Sequence, residues 1–263
     1  MGLALRDAAA KEGVSISSSA ADAVKDADVV VTMLPAGKHV RAVWAEAAAA
    51  AKKGALFIDS STVDVESARA VHEIAGKAGL ASLDAPVSGG VGGAKAATLT
   101  FMCGGEKDAF DRARPILEQM GKKIVHCGGA GAGQAAKICN NMILGISMIG
   151  VSEAFVLAEK LGLSHQALFD VASTSSGQCF ALTTHCPVPG PVPTSAANNG
   201  YKPGFASALM LKDLKLSQEA ASTAGATTPM GALAAQIYGL HNAWGEGGAD
   251  YSGIINLVRG KSE

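Results

Sequence analysis

The first half of the chain alternates short apolar segments with helical segments, and this alternation constrains the fold more strongly than any other feature. The segments predicted as strands are residues 28–34, 55–59, 80–85, 98–103 and 122–127. The segments predicted as helices between them are residues 38–53, 64–78 and 106–120. Near-continuous apolar strands that alternate with helices indicate an α/β sheet covered on both faces.

The alternation stops after residue 127. Residues 131–162 read as one helical run, which would be about 48 Å long at 1.5 Å per residue. Further helical patterns follow at residues 164–173, 206–223 and 228–243. A chain of 263 residues is long enough for two ordinary domains. We therefore expect an α/β domain at residues 1–127 and a helical domain at residues 128–263.

Composition favours a protein that binds a small molecule. Hydrophobic residues make up 48% of the chain, charged residues make up 17%, and the formal net charge is −1. Neither disorder nor an electrostatic attraction to nucleic acid or an anionic membrane is therefore indicated. The cysteines number five and form no C-x-x-C pair, which is typical of reduced thiols rather than of a structural zinc site. No metal is expected.

Two segments bear on location. Residues 142–151 form the most apolar run, which falls short of the about 18 to 20 residues that span a bilayer, so a buried helix is predicted. The first residues of the chain, up to Val14, read as a short Ala-rich helix and lack the apolar region of a signal peptide. The expected location is the cytoplasm.

A Gly-x-Gly-x-x-Ala pattern at Gly131, Gly133 and Ala136 follows the last predicted strand and precedes a predicted helix. A dinucleotide-binding turn has this form, but it opens a β-α-β unit whose next strand ends in an acidic residue about 20 residues on. Glu153 has that spacing but falls inside the predicted helix, and no strand follows. The pattern therefore favours a flexible interdomain turn, with a phosphate site as the weaker alternative.

Lys137 and Asn141 are four residues apart, and hence lie on one face of the same predicted helix near its N-terminal end. The helix dipole disfavours a cation there, and the neighbours are apolar, so we expect a lowered pKa for Lys137 if it lines a cleft. The alternative is a lysine whose apolar stem is buried while its ammonium group reaches solvent.

Two further segments are candidates for binding. After a strand predicted to end near Asp84, Ser88, Gly89 and Gly90 offer a hydroxyl and unobstructed backbone N–H groups that can hold a carboxylate. The alternative there is an ordinary tight turn. Residues 185–204 form a long loop, and such a loop in a compact domain is usually functional or disordered. We expect a functional role for it.

Six motifs together resemble the β-hydroxyacid dehydrogenase family. They occur in the order and spacing of that family and read VVTMLP, FIDSSTVD, DAPVSGGVGGA, LTFMCGG, GAGQAAKICNN and LMLKDLKLSQEA. Residues 28–257 all fit the pattern. Three segments resemble the members that oxidise 3-hydroxyisobutyrate, namely SSGQC, CPVPGPVPTSAANN and GFASALMLKDL.

The resemblance implies a Rossmann-type doubly wound sheet followed by an all-helical C-terminal domain, joined by a long interdomain helix. It implies an NAD-dependent dehydrogenase, with NADP not excluded, that oxidises 3-hydroxyisobutyrate to methylmalonate semialdehyde in valine catabolism. It also implies a homodimer or homotetramer. One alternative is a sibling reductase acting on tartronate, glyoxylate or succinate semialdehyde, and another is a non-catalytic small-acid-binding fragment or scaffold.

Residue roles follow from the same resemblance. Lys137 is similar to the family's catalytic lysine and Asn141 to its substrate-orienting partner, while Ser88, Gly89 and Gly90 match the substrate carboxylate site. The positions that match cofactor contacts are Leu34, Pro35, His39, Thr62, Lys212 and Asp213. In this chemistry the alcohol carbon gives a hydride to the cofactor, while a lysine with a pKa lowered from about 10.4 toward 7 to 8 accepts the hydroxyl proton.

The chain departs from the family at its N-terminal end. The family opens with a strand, a Gly-x-Gly-x-x-Gly turn, a helix and a second strand with the ribose-binding residue, and the sequence before residue 28 matches none of these. About thirty to forty residues are expected to be absent, since one β-α-β unit takes about 30. The Rossmann-type domain would then be incomplete, and residues 28–34 would form a bare apolar sheet edge. A gene model that begins at an internal methionine is expected, and a natural short paralogue is the alternative.

Overall fold

The computed structural model of the protein describes residues 2–260. The strands are β1 (Val29–Thr32), β2 (Leu56–Asp59), β3 (Ala81–Asp84), β4 (Val87–Ser88), β5 (Leu99–Gly104) and β6 (Gly121–Gly128). The helices are α1 (Gly2–Lys11), α2 (Ala20–Val24), α3 (Gly37–Ala50), α4 (Val65–Lys77), α5 (Gly90–Lys95), α6 (Lys107–Leu117), α7 (Ala132–Lys160), α8 (His165–Ala172), α9 (Phe180–Thr183), α10 (Ser207–Ala224), α11 (Pro229–Ala243) and α12 (Ile254–Arg259). Short 3₁₀ turns occupy Ala196–Asn199, Glu246–Gly248 and Tyr251–Gly253.

The sheet is mixed, and its parallel part is formed by the first three strands. The strand order is β1-β2-β3-β5-β4, and β6 pairs with β5. β1, β2 and β3 run parallel, β5 runs antiparallel to β3 and β4, and β6 runs parallel to β5. The α/β expectation is confirmed. The antiparallel step and the short strand β4, which lies in a segment interpreted as a turn, are additions that the sequence pattern did not indicate.

The sheet buries apolar side chains on both of its faces. Successive residues of a strand point to opposite faces. Phe57 of β2 accordingly packs with Trp44 of α3 in one buried cluster, whereas Leu56 and Ile58 pack with Phe110 of α6 in another. This double coverage explains why the strands read as continuous apolar runs.

β1 lies at one end of the strand order. It pairs with β2, and no other strand of the described chain pairs with its opposite side. Val31 within β1 and Met33 just after it are 48% and 70% exposed. An apolar, unpaired strand edge of this kind is a template for pairing with a further strand.

The chain divides into two compact units. The first comprises the residues up to Gly89 together with Gly93–Lys137, and the second comprises Gly90–Gly92 and the residues from Ile138 onward. The core of the second unit gathers side chains from α7, α10 and α11, among them Met148, Met210 and Tyr238. The boundary between the two units falls within α7, between Lys137 and Ile138.

α7 is long and apolar. By length and composition alone it could cross a membrane, with a mean hydropathy of 1.7 over its most apolar window, of which 39% is buried in the structure. Core helices of soluble proteins meet the same criterion, so this property carries little weight. Among residues 2–260, no group of three or more His, Cys, Asp or Glu side chains is arranged to hold a metal ion.

The long loop at residues 185–204 is packed rather than disordered. Cys186, Val188 and Val192 are buried in a cluster with Phe155 of α7. The Asn198 side chain fastens the loop to itself, since it accepts a hydrogen bond from the Gly190 N–H at 2.9 Å and donates one to the Val192 carbonyl at 2.8 Å. The loop therefore has a structural role, and its functional role stays a prediction.

One buried carboxylate anchors both ends of this loop. Asp250 is fully buried. Its Oδ1 lies 2.8 Å from His185 Nε2 and 2.7 Å from the Ser252 hydroxyl, and its Oδ2 accepts the N–H groups of Gly204 and Phe205 at 3.0 and 3.1 Å. Burial raises the pKa of this carboxyl, but the hydrogen bonds from His185 and Ser252 outweigh burial, and its pKa is lowered.

We predict that Asp250→Asn destabilises the protein by about 2 kcal/mol near pH 7, because hydrogen bonds to a charged group are lost. A lowered folded-state pKa gives stability that is present above the unfolded value, about 3.9, and is lost as pH falls through the folded value. The difference between wild type and variant should therefore shrink below about pH 4. Urea unfolding at pH 7 and pH 3.5 measures this. Asp170→Asn, at an exposed carboxylate, is the control, and an equal loss in both variants would contradict the prediction.

Candidate active site

The N-terminus of α7 is held by a single buried carboxylate. Asp84 ends β3 and is fully buried. Its Oδ1 accepts the Gly131 N–H at 2.8 Å and its Oδ2 accepts the Gln134 N–H at 2.9 Å. A carboxylate satisfies the unpaired N–H groups and the positive dipole end of a helix. The Gly-x-Gly-x-x-Ala turn thus binds an anion, but that anion belongs to the protein, and the turn is a capped junction rather than a flexible linker.

Steric constraints require glycine at two positions of this turn. Gly131 has φ +82°, in the left-handed region that side chains disfavour. A Cβ at Gly133 would lie 2.2 Å from the Met102 carbonyl oxygen and 2.7 Å from that of Asp84. Glycine at 133 therefore lets the first turn of α7 pack directly against the ends of β3 and β5.

Further hydrogen bonds fasten the same turn. His72 Nε2 lies 2.9 Å from Asp84 Oδ1, and His72 Nδ1 lies 2.8 Å from the Ser82 hydroxyl. The Gln134 side chain donates to the Ser61 carbonyl at 2.7 Å and accepts the Val63 N–H at 3.1 Å. The start of α7 is consequently fixed to the segment that follows β2 and to the last residue of β3.

Lys137 and Asn141 lie on this anchored helix, one turn apart. Lys137 is the sixth residue of α7, and the two side chains are 7% and 1% exposed. The Asn141 amide donates to Asp213 Oδ2 at 2.6 Å and accepts from the Asn140 amide at 2.9 Å. Lys212 Nζ lies 3.6 Å from Asp213 Oδ1. Sequence reasoning identified each of these residues except Asn140, but not the hydrogen bond between Asn141 and Asp213.

The carboxylate-site candidates lie at the end of β4. Ser88 pairs with Thr100 of β5 and is half-buried. Gly89 and Gly90 are exposed and have φ +133° and +61°, so both occupy backbone conformations that favour glycine. α5 starts at Gly90. Gly89 forms a bend between β4 and α5, and the role of this segment as a carboxylate site stays a prediction.

The cofactor candidates of the first unit follow the parallel strands. Leu34 and Pro35 come after β1, Thr62 comes after β2, and the exposed His39 lies in the first turn of α3. In open α/β sheets, ligands bind outside the carboxyl ends of the strands.

The residues after β1 and β2 could contact a dinucleotide, but a glycine-rich turn for its pyrophosphate has to be looked for separately. Apart from the turn at Gly131, whose N–H is already engaged by Asp84, no Gly-x-Gly-x-x-Gly or Ala turn joins a strand to a helix in the described chain. A pyrophosphate site of that kind is therefore not found among residues 2–260. The described residues therefore offer candidate contacts only to the part of the cofactor that would lie against the loops after β1 and β2.

Comparison with known proteins gives matches over both halves of the chain. Residues 4–129 match the model of the NAD-binding domain of 6-phosphogluconate dehydrogenase, and residues 131–258 match the model described as NAD-binding of NADP-dependent 3-hydroxyisobutyrate dehydrogenase. A 3-hydroxyisobutyrate dehydrogenase from Pseudomonas aeruginosa is 48% identical over 95% of this chain and 86% of its own length. An NAD-dependent L-serine dehydrogenase from the same organism is 45% identical over 93% and 83%.

A solved structure is similar as well. The Mycobacterium tuberculosis 3-hydroxyisobutyrate dehydrogenase with L-serine has a TM-score of 0.93 and 55% identity, and the match covers 97% of this chain and 87% of that one. The similarity extends through α7 and the helical unit, since nearly the whole chain is covered.

We predict opposite effects for two alanine substitutions in α7. Gly133→Ala should destabilise the protein by about 2 kcal/mol or more, because the added methyl group meets two backbone oxygens. Gly150→Ala should stabilise it by about 0.5 to 1 kcal/mol, because nothing lies within 4 Å of the added Cβ. Thermal and urea unfolding of both variants measure this. A Gly133→Ala protein as stable as wild type would show that the close approach is not required.

Proposed function

Because the chain belongs to the 3-hydroxyisobutyrate dehydrogenase family, we propose that it oxidises 3-hydroxyisobutyrate to methylmalonate semialdehyde, a reaction of valine catabolism. It is an oxidoreductase of the NAD(P)-dependent class with a small-molecule substrate. The observation that supports this assignment best is the pair Lys137 and Asn141, buried one turn apart on a helix whose start is fixed by Asp84.

The cofactor supplies a hydride acceptor when it is bound. We assign its binding to Leu34, Pro35, His39 and Thr62 at the strand ends, and to Lys212 and Asp213 of α10. Asp213 would have a second task, because the hydrogen bond from Asn141 to its Oδ2 fixes which way the Asn141 amide points.

Three groups would hold the substrate carboxylate. The Ser88 hydroxyl and the N–H groups of Gly89 and Gly90 can donate hydrogen bonds to it, and such donors bind carboxylates without a cation. They would keep the carboxylate away from the carbon that reacts and thereby select small hydroxy acids.

Lys137 is proposed as the general base. The O–H bond of the substrate alcohol breaks as its proton moves to Lys137 Nζ, while the adjacent carbon loses a hydride and the C=O bond forms. Asn141 would orient the hydroxyl. Since the alcohol has one hydrogen and that hydrogen moves to Lys137, Asn141 would donate to the alcohol oxygen with its second amide hydrogen, while the first donates to Asp213.

L-serine is a second candidate substrate. A relative at 45% identity is named NAD-dependent L-serine dehydrogenase, and the similar M. tuberculosis structure contains L-serine. Serine and 3-hydroxyisobutyrate are both 3-hydroxy acids, so the same base and carboxylate site would serve either. Ranking kcat/KM for both, together with tartronate and the reverse reactions of glyoxylate and succinate semialdehyde, separates these activities.

We predict that Lys137→Ala lowers kcat with 3-hydroxyisobutyrate by about 10²- to 10⁴-fold, the usual contribution of a general base. The Kd for NADH or NADPH, measured by calorimetry, should stay within about threefold because the neutral amine of Lys137 acts on the alcohol proton and not on the dinucleotide. Lys160→Ala, in the exposed last turn of the same helix, is the matched control and should retain activity.

Three outcomes would decide the assignment. A Lys137→Ala protein with full turnover would remove Lys137 as the base. Binding of 3-hydroxyisobutyrate by the folded wild-type chain without binding of either dinucleotide would favour a small-acid-binding scaffold. Turnover confined to another hydroxy acid would move the chain to a sibling activity.

A homodimer or homotetramer in the cytoplasm is part of the proposal. α11 presents an exposed apolar stripe at helical spacing, formed by Met230, Leu233, Leu240 and the adjoining Trp244, each 52% to 63% exposed. A contiguous apolar stripe on a helix marks an interaction surface, and a second copy of the chain is the partner proposed.

We predict that Leu233→Glu combined with Leu240→Glu lowers the mass in solution toward that of a 26.4 kDa monomer, because two carboxylates would have to be buried. Light scattering after size exclusion measures the mass. Val171→Glu, which places the same charge on an exposed apolar position of α8, is the control. A wild-type monomer, or an unchanged oligomer in the double variant, would contradict the proposed surface.

A further inference from the structure

A second buried carboxylate lies beside Asp84 and has no part in the chemistry above. Asp59 ends β2, stands in register with Asp84 of β3 and is fully buried. Its Oδ1 accepts the Thr32 hydroxyl at 2.8 Å, the Ser61 hydroxyl at 2.6 Å and the Ser61 N–H at 3.3 Å. Its Oδ2 is buried and has no hydrogen-bond partner among the described residues. Burial raises the pKa of this carboxyl.

Each hydroxyl that donates to Asp59 also accepts a hydrogen bond from a further group. The Trp44 indole N–H donates to the Thr32 hydroxyl at 3.0 Å, and the Leu34 backbone N–H donates to the Ser61 hydroxyl at 2.7 Å. We call these five residues the Asp59 network: Trp44, Thr32, Asp59, Ser61 and Leu34. It runs from the helix α3 to the loop after β1.

The chemistry of the groups fixes the direction of every bond in the Asp59 network. A hydroxyl has one hydrogen to give, while indole and backbone N–H groups can only donate. Thr32 and Ser61 therefore give their hydrogens to Asp59 Oδ1 and accept from Trp44 and Leu34. No hydroxyl can turn away without leaving a buried donor or acceptor unpaired, which carries a large free-energy penalty.

We propose that Asp59 is a positioning residue for the cofactor end of the site. Through Ser61 it fixes the Leu34 N–H, and hence the backbone that leads into Pro35. It also fixes the Ser61 backbone N–H directly, and Thr62 is the next residue. One carboxyl thus sets both strand-end segments to which cofactor contacts are assigned. This inference rests on the proposed function, because that function assigns Leu34, Pro35 and Thr62 to the cofactor.

Two substitutions separate positioning from plain stabilisation. Ser61→Ala removes the hydrogen bond to Asp59 and the one from Leu34, whereas Thr32→Val removes the bond to Asp59 and the one from Trp44. Each variant loses two hydrogen bonds, both buried in Thr32→Val and one buried and one partly buried in Ser61→Ala, so their losses of stability should be of comparable size. They differ in which branch of the Asp59 network is cut.

The expected results differ between these two variants. In Ser61→Ala, hydrogen exchange of the peptide containing Leu34 should accelerate about tenfold or more, and the Kd for NADH or NADPH should rise about tenfold, as the loss of one well-placed hydrogen bond implies. In Thr32→Val, both should stay within about threefold. The KM for the cofactor should follow its Kd, and kcat should change less.

A spectroscopic signal reports on the other branch. The chain has two tryptophans, and fluorine resonances of 5-fluorotryptophan can be assigned with Trp244→Phe. The Trp44 resonance should shift in Thr32→Val and stay in place in Ser61→Ala. Asp59→Ala should combine both effects, with faster exchange at Leu34 and a shifted Trp44 signal. If Asp59→Ala does not fold, the two single-branch variants still decide the question.

Equal changes of cofactor Kd in Ser61→Ala and Thr32→Val would overturn the proposal and leave Asp59 a purely structural group. Unchanged exchange at Leu34 in Ser61→Ala would overturn it as well. Failure of the proposed function looks different, since the wild-type chain would then bind neither dinucleotide. In that case the exchange data would still establish whether Asp59 holds the loop, while its role toward a cofactor would be refuted.

Discussion

The structure depends on the carboxylate of Asp84 at the start of α7. Among residues 2–260 no Lys or Arg side chain donates a hydrogen bond to it, and it accepts from two N–H groups at the start of the helix and contacts His72. A buried carboxylate of this kind is tolerated only where donors surround it. Because the helix beyond it is rigid, fixing the first turn also fixes the rise and rotation of Lys137, six residues into α7. The position of the proposed base thus follows from a contact made 53 residues earlier in the chain.

Asp59 and Asp84 are both buried carboxylates, and different kinds of hydrogen-bond donor stabilise them. They are neighbours in register on parallel strands, and both are fully buried. Asp84 meets the N–H groups of a helix end, whereas Asp59 meets hydroxyls and one backbone N–H. Burial raises the pKa of Asp59, the hydrogen bonds from Ser61 and Thr32 lower it, and the nearby charge of Asp84 adds a small part to the rise.

The sequence predicted the helices and strands better than it predicted which residues contact each other across the fold. Periodicity located five strands and the longer helices, because apolar spacing reports which side of an element is buried. It missed β4, and it could not show that β5 runs antiparallel to β3, since direction depends on how the chain returns rather than on composition. It also read Gly131 and Gly133 as a loose turn. The Asp84 cap was missed because its two halves lie 47 and 50 residues apart. A single signal was available, namely an aspartate at the last position of a short strand.

Contacts between distant residues of the proposed site could not be predicted from the sequence either, and this affects what can be said about substrate specificity. Resemblance supplied Lys137, Asn141 and Asp213 separately, and the geometry adds that Asn141 donates to Asp213. In the proposed function, Lys137 and Asn141 act on the alcohol, and Ser88, Gly89 and Gly90 act on the carboxylate. 3-Hydroxyisobutyrate and L-serine share both groups and differ only at the carbon between them, where one has a methyl group and the other an ammonium group. The residues assigned so far therefore explain the reaction but give little discrimination between the two acids. Discrimination must come from side chains that contact that central carbon, where an unpaired buried ammonium would be strongly disfavoured and a methyl group would be accepted.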